Sequence, residues 1–212
     1  MPSSFRATRC SAVVTSLCAT ASCAFATTTI YTNQSSFLAA VAPDSYTEAF
    51  TGGAGQAPSY FFQGAFQGGG NYSYTVDTAG GSNVYRDGTF ISTFSYNNEL
   101  RLIFFGGNSI NAVGGNFFAT NTFDQFVPGV SITLNLSDGT STTFTPVSPN
   151  EYRGLISTAF IQSLVMAAPG PLAANTIDNL TVGVAAAVPE PRTYVLMVMG
   201  LAAVLVASCR KA

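Results

Sequence analysis

The 212-residue chain contains no histidine and no tryptophan. The first absence removes the side chain that most often serves as general base and transition-metal ligand near neutral pH. Its four cysteines, Cys10, Cys18, Cys23 and Cys209, all lie close to one end of the chain or the other. Residues 27–187 therefore offer no disulfide framework, no thiolate nucleophile and no cysteine metal site. Charge is scarce as well, at 8% of residues. The same stretch has three cations, Arg86, Arg101 and Arg153, against nine carboxylates, a balance of minus six without a lysine. Such a surface repels polyanions at long range, so no nucleic acid is expected as a partner. Long amphipathic helices and an internal repeat of fixed period are missing too, which disfavours a parallel α/β domain and a solenoid.

Both ends of the chain carry targeting signals. Arg6 and Arg9 precede the moderately apolar SAVVTSLCATASC, and Ala24-Phe25-Ala26 supplies a small-x-small cleavage site. Residues 1–26 read as a signal peptide, with the mature chain starting at Thr27. The residues before Cys18 and Cys23 lack a Leu-rich lipobox, so a lipoprotein signal is not expected. At the other end, residues 193–209 are seventeen in a row without a charge. That is at the short end of a transmembrane helix, which takes roughly 20 residues. Arg192 and Arg210 flank the run and can snorkel to the interfaces, and Tyr194 stands at one boundary. The terminal Arg210-Lys211 predicts a cytoplasmic C-terminus, with the body on the far side of the membrane.

Ahead of that run stands Val188-Pro189-Glu190-Pro191. Each proline holds the preceding residue extended, so the segment is stiff and open to a membrane-embedded processing enzyme. The Pro-Glu-Pro signal, the Tyr-containing apolar run and the basic end at Arg210-Lys211 together resemble the sorting tail of PEP-CTERM proteins. That tail is also described as the ice-binding-protein C-terminal domain, a label that implies no ice binding. The resemblance covers residues 188–212 and implies an exported bacterial protein of exopolysaccharide-making species. It also implies an exosortase, a membrane enzyme that recognises Pro189, Glu190 and Pro191 and removes the tail. The protein would be held at the inner membrane, then processed and passed to the cell surface or extracellular matrix, with exopolysaccharide as a second partner.

The body, residues 27–187, is long enough for one domain. Thr28 to Thr32 reads as a short strand. Asn33 then caps a helix through Val41, with Phe37, Leu38 and Val41 on one face and Pro43 as its stop. Gly52-Gly53-Ala54-Gly55 is a loop, and without a following lysine it is no phosphate cradle. From Tyr60 onward the pattern is β. Tyr72, Tyr74 and Val76 alternate with Ser73 and Thr75. Asn97-Asn98 separates Phe90, Phe94 and Tyr96 from the apolar residues 100–105, as a hairpin would, and that second strand reads as covered on both faces.

The double glycine Gly114-Gly115 points to a bulge or a close backbone approach in the next strand. Pro128-Gly129 opens the clearest strand, with Ile132, Leu134 and Leu136 facing one way, and Asp138-Gly139 turns it back through Thr142 to Thr145. Residues 156–166 supply one or two more strands. The last starts near Thr176, with Leu180, Val182 and Val184 in phase. About eight to ten short strands and one N-terminal helix predict an all-β domain, a β-sandwich of jelly-roll type. Val113-Gly114-Gly115-Asn116-Phe117 and Thr176-Ile177-Asp178-Asn179-Leu180-Thr181 resemble segments in the bodies of secreted proteins with this tail, which again implies a sandwich.

No catalytic residue and no cofactor are expected in the body. Asp77, Asp87, Glu99, Asp124, Asp138 and Asp178 are its carboxylates of interest, and no spacing selects a glycosidase pair. Calcium is the one ion the loops suit, around Asp77 and Asp87 and at Asp178-Asn179, although none follows a twelve-residue calcium-loop pattern. Tyr60, Phe61, Phe62 and Phe66 form an aromatic cluster, and Tyr72, Tyr74, Tyr85 and Tyr96 add phenols of the kind that sugar-binding modules use. Packing in the core is the better reading for the phenylalanines. Asn33, Asn71, Asn135 and Asn179 each open an Asn-x-Ser/Thr triplet. The expectation is a non-enzymatic envelope or matrix module, with a carbohydrate-binding or calcium-stabilised adhesin-like role as the alternative and a glycoside hydrolase behind it.

Overall fold

The computed structural model describes residues 26–50, 60–62, 65–66, 72–78, 84–93, 95–105, 109–187 and 199. The chain opens with β1 (Thr28–Tyr31), α1 (Gln34–Ala39), β2 (Tyr46–Glu48), β3 (Tyr60–Phe62) and β4 (Ala65–Phe66). It continues through β5 (Ser73–Thr78), β6 (Val84–Asp87), β7 (Phe90–Thr93), β8 (Leu100–Phe105) and β9 (Ala112–Thr120). The last five strands are β10 (Ile132–Leu136), β11 (Ser141–Phe144), β12 (Tyr152–Ser157), β13 (Ser163–Met166) and β14 (Ala174–Gly183).

These strands form two antiparallel sheets. The larger runs β1-β12-β9-β14-β7-β6-β3, with β2 also on β14, and the smaller runs β11-β10-β13-β8-β5-β4. From β7 to β14 the chain passes from one sheet to the other at nearly every strand, β10 and β11 excepted. The inner faces meet in one core. Tyr72, Tyr74, Val76, Leu100, Leu102, Ile132, Leu134 and Leu164 pack from the smaller sheet, against Ile91, Val113, Phe117, Leu155, Ile177, Leu180 and Val182 from the larger. Each such side chain contributes about 1.5–3 kcal/mol by leaving water. The domain is thus an all-β sandwich with one short helix.

The helix covers part of the larger sheet's outer face. Asn33 caps it, its side chain accepting from Ser36 N at 3.1 Å, and the single face it buries is Phe37. Phe37 stacks edgewise on Tyr31 and lies beside Tyr152, directly over Gly154, where a Cβ would collide with its ring. The helix is shorter than its apolar pattern implies. It ends at Ala39, well before Pro43, and leaves Leu38 exposed, while Val41 bridges to Ala185 beyond the helix.

Two polar devices tie the sheets together. The buried Asn175 side-chain amide donates to the carbonyls of Asn98 (2.9 Å), Met166 (3.2 Å) and Ala167 (2.9 Å), joining β14 to the end of β13. At the other end of the sandwich, the Asp138 carboxylate accepts from Thr140 N at 2.8 Å, closing its own turn. It also accepts from Thr28 Oγ1 and Ser157 Oγ in the opposite sheet. Partial burial works to raise the Asp138 pKa, but the hydrogen bonds from Ser157, Thr140 and Thr28 outweigh it and hold the carboxyl below the usual aspartate value.

Several sequence expectations are corrected. Asn97-Asn98 is no hairpin, because β7 and β8 belong to different sheets. Asn97 takes a left-handed φ of 55° and donates from its backbone N–H to Ala173 O, which turns the chain across the sandwich. Strand β8 is central within its sheet but covered on one face only, with Phe105 exposed. The aromatic cluster of Tyr60, Phe61, Phe62 and Phe66 is divided, since β3 edges one sheet and β4 the other. The glycine loop at residues 52–55 lies outside the described residues. So does the predicted membrane helix at 193–209, apart from Met199. Among the described residues no helix is long and apolar enough to cross a membrane.

Two measurements check these ties. Asn175→Ala should cost roughly 2–4 kcal/mol in urea unfolding, because the two N–H groups shared among three inward carbonyls are lost. A loss below about 1 kcal/mol would remove the amide from the role of inter-sheet tie. The Asp138 carboxylate contributes stability in full above its unfolded pKa of about 3.9, and that contribution fades as pH falls through the lower folded value. Thermal unfolding between pH 2 and 6 should therefore show a shallower acid loss for Asp138→Asn than for the wild type.

Candidate functional site

The outer face of the larger sheet carries two cross-strand rows. Register places Tyr85 opposite Ser92, Ser92 opposite Thr176 and Thr176 opposite Phe118, so these four share one face. One step along, Asp178 pairs with Asn116 and Asn116 with Tyr152. Phe90 stands beside this second row on β7. The alternate positions Ile91, Ile177 and Phe117 point into the core.

Within the first row, and continuing to Thr120, runs a chain of buried hydroxyls. Thr176 Oγ1 is 2.8 Å from both Ser92 Oγ and Thr120 Oγ1, across β7, β14 and β9. A hydroxyl both donates and accepts, so such a row satisfies itself without water. The loop of residues 121–126 closes over it. Asn121 Oδ1 accepts from the backbone of Phe123 and Gln125, Thr120 bridges to Phe126, and Phe126 packs edgewise on Phe118 at 6.2 Å. Asp124 takes a left-handed φ of 58° and accepts from the Tyr85 hydroxyl, and Tyr85 in turn meets Phe90 edge to face at 6.3 Å.

Between this loop and α1 the face stays open. Asp178 and Asn179 sit at an irregularity in the β14–β9 pairing, between Asp178 and Thr181. Asn179 adopts φ 49°, donates from Nδ2 to Asn116 Oδ1 at 2.9 Å, and gives its backbone N–H to Asp178 at 2.6 Å. Burial pushes the half-buried Asp178 carboxyl above its usual pKa, with the Asn179 backbone bond working against the shift.

Three depressions adjoin along this face. The first, about 280 Å3, lies among Tyr85, Tyr96, Asn121 and Asp124. The second, about 240 Å3, shares Asp124 and adds Phe90, Phe118, Phe126, Asn150 and Asp178. The third, about 410 Å3, shares Asn150 and reaches Asn116, Asn179, Glu151, Tyr152 and the cap residue Asn33. Together they make a groove with aromatic walls at one end and amides and carboxylates along the rest. It has the composition of a site for a polar, ring-containing ligand.

The acids singled out in the sequence scatter. Asp77 forms a two-point ion pair with Arg101, both bonds 2.8 Å, on the smaller sheet. Asp87 is in β6 of the larger sheet, and the connection between β5 and β6 at 79–83 lies outside the described residues. Asp138 is the inter-sheet tie and Glu99 precedes β8. Only Asp124 and Asp178 come together in the groove, and no group of three or more acids gathers among the described residues. Of the four tyrosines, Tyr72 and Tyr74 are core and Tyr85 and Tyr96 line the groove. Ala26 and Thr27 at the predicted signal-cleavage point are exposed, whereas Ala24, Val188, Pro189, Glu190, Pro191, Arg210 and Lys211 lie outside the described residues. Sequence reasoning missed Asn116, Phe118, Phe126 and Asn150. Phe118 was readable only as the outward neighbour of Phe117, Asn116 required the register, and Phe126 and Asn150 arrive on connections between strands.

No protein-family model matches the chain, and no curated protein matches it. One solved structure similar to it is the CBM22-1 xylan-binding domain from Paenibacillus barcinonensis Xyn10C. Identity is 15% over 68% of this chain and 94% of that one, with a TM-score of 0.32. An overlap that loose carries neither the fold nor the ligand of that domain across.

Proposed function

We propose that the body is a non-catalytic glycan-binding module. It is exported behind its signal peptide and held at the outer surface of the inner membrane by residues 193–209. An exosortase then acts at Pro189-Glu190-Pro191, and the module passes to the cell surface or exopolysaccharide matrix. The observation that carries the binding half is the groove on the larger sheet, where Tyr85, Phe90 and Phe126 stand beside Asn116, Asp178 and Asn179. Aromatic faces accept the apolar side of a sugar ring, while amides and carboxylates exchange hydrogen bonds with its hydroxyls. Three arginines against nine carboxylates favour a neutral glycan over an anionic one. The alternation of strands between sheets supports the jelly-roll form of the sandwich.

A hydrolytic reading has one observation behind it: Asp124 and Asp178 line the same depression, and Asp178 holds its proton more tightly than usual. Glycosidases need such a pair. Here Asp124 is engaged by the Tyr85 hydroxyl and Asp178 by Asn179, which suits a binding groove better.

Calorimetry against a panel of neutral polysaccharides tests the binding reading. Tyr85→Ala and Asn116→Ala should each weaken binding about tenfold, roughly 1.4 kcal/mol, with the unfolding midpoint monitored in parallel. Unchanged affinity in both variants, or no binding to any glycan, removes the groove from this role. New reducing ends in the bound glycan would turn the reading to hydrolysis. For the tail, mass spectrometry of the released protein should find the C-terminus at or near Pro189-Glu190-Pro191. Residues 192–212 intact in every form would sink the processing step.

A further inference from the structure

Both ends of the sandwich domain emerge at the same place. Thr27 N–H donates to Thr158 Oγ1 and Thr27 O accepts from Thr158 N, which fixes the chain's entry beside the β12–β13 connection. At the exit, Ala185 N donates to Asn111 Oδ1 at 2.7 Å, and Asn111 N donates to Gly183 O. Beside the entry point two large aromatic side chains are exposed. Phe160 is 64% exposed and Phe105 52% exposed, and with the buried Ile110 and Ile161 and the polar Ser109 and Gln162 they border a shallow depression of about 210 Å3 that, among the described residues, no charged side chain lines. Ile161 N donates to Ile110 O at 2.7 Å and Phe104 N to Gln162 O at 2.9 Å, so the backbone beneath the patch is held firmly. Two large exposed aromatics bordering one firm depression mark a candidate contact surface.

The sequence says what lies next to them. Only residues 188–192 separate Ala187 from the uncharged run at 193–209. Even fully extended, the chain from Ala187 to Thr193 reaches at most about 22 Å. We propose that this end of the sandwich rests on the lipid surface, with Phe105 and Phe160 entering the boundary between headgroups and acyl chains. The inference rests on the reading of residues 193–209 as the membrane anchor. Exposed Phe beside a membrane anchor adds apolar contact to a hold that is already there. The groove lies on the outer face of the larger sheet, from the opposite end of the strands near Phe118 and Ala174 back to mid-strand at Asn116 and Asn179, clear of Phe105 and Phe160.

The absence of tryptophan makes the test clean. Phe160→Trp in the full chain places one indole in the patch. Val147→Trp places one at an 84% exposed position in the β11–β12 connection, at the far end of the sandwich. Each variant is reconstituted into phosphatidylcholine vesicles whose acyl chains carry bromine. The Phe160→Trp emission should shift to the blue and lose most of its intensity to the brominated lipid, while Val147→Trp keeps its emission. If the chain floats with the vesicles but Phe160→Trp stays open to aqueous iodide, the anchor stands and the lipid contact is overturned. If the chain does not float, the anchor reading fails and takes the contact with it. A blue shift without loss to bromine means that protein, the apolar run or a second copy, covers the patch, which also overturns the proposal.

Discussion

Strand β9 is buried along its whole length, and its neighbour β14 nearly so, on both faces of the larger sheet. Antiparallel sheets commonly leave one face to water, so a centre covered twice must be built from residues that tolerate it. Toward the core these are Val113, Phe117, Ile177, Leu180 and Val182. Toward the outside they are glycines and hydroxyls. Gly154 admits the Phe37 ring under α1, and Gly114 lies close against Tyr152. Ser92, Thr120 and Thr176 satisfy one another, so that burying them beneath the loop of residues 121–126 leaves none of the three hydroxyls orphaned. The groove is what remains between those two covers. Its floor is stiff because the strands under it are packed from both sides.

The irregularity between Asp178 and Thr181 gives that floor its chemistry. A regular strand would send Asp178 and Asn179 to opposite faces. With Asn179 in the left-handed region, its amide instead reaches Asn116 on the outer face while its backbone N–H caps Asp178. A half-buried carboxylate in this position is poorly solvated, which is why its proton is held tightly. The same desolvation makes a hydrogen bond from a ligand hydroxyl stronger there than it would be in water. The cost of a strained asparagine is thus concentrated where a ligand could gain from it.

Elements whose evidence is local were legible in the sequence. Ile132, Leu134 and Leu136 alternate into the core, Asp138-Gly139 turns them, and Asn33 caps the helix, as pattern and turn chemistry require. Tyr72, Tyr74 and Val76 shared one face as read, but whether that face looked inward was fixed only by the second sheet. Sheet switching was illegible for a physical reason. A two-asparagine segment between strands makes a hairpin or a crossover with nearly the same residues, and the distant Ala173 carbonyl that holds Asn97 decides the outcome. The groove was harder still. Tyr85 and Asp124 are 39 residues apart and meet only when a loop folds back across the sheet. The strand count came out low for a related reason: β2, β4 and β6 are short and pair at positions that periodicity does not mark.

Direction along the strands separates the molecule into two working ends. Strands β8 and β14 finish, and β1 and β9 begin, at the end where the chain enters and leaves and where Phe105 and Phe160 are exposed. Strand β9 finishes and β14 begins at the other, where the loop of residues 121–126 shapes the groove. Antiparallel pairing makes such a division available to any sandwich, but two features use it here. Asp138 ties the hairpin turn to β1 and β12 at the terminal end, and Asn175 ties β14 to β13 at the groove end. Each end of the sandwich therefore has its own inter-sheet tie. The hydroxyl row lies toward the Asn175 end, and the groove runs from there back to mid-strand at Asn116 and Asn179.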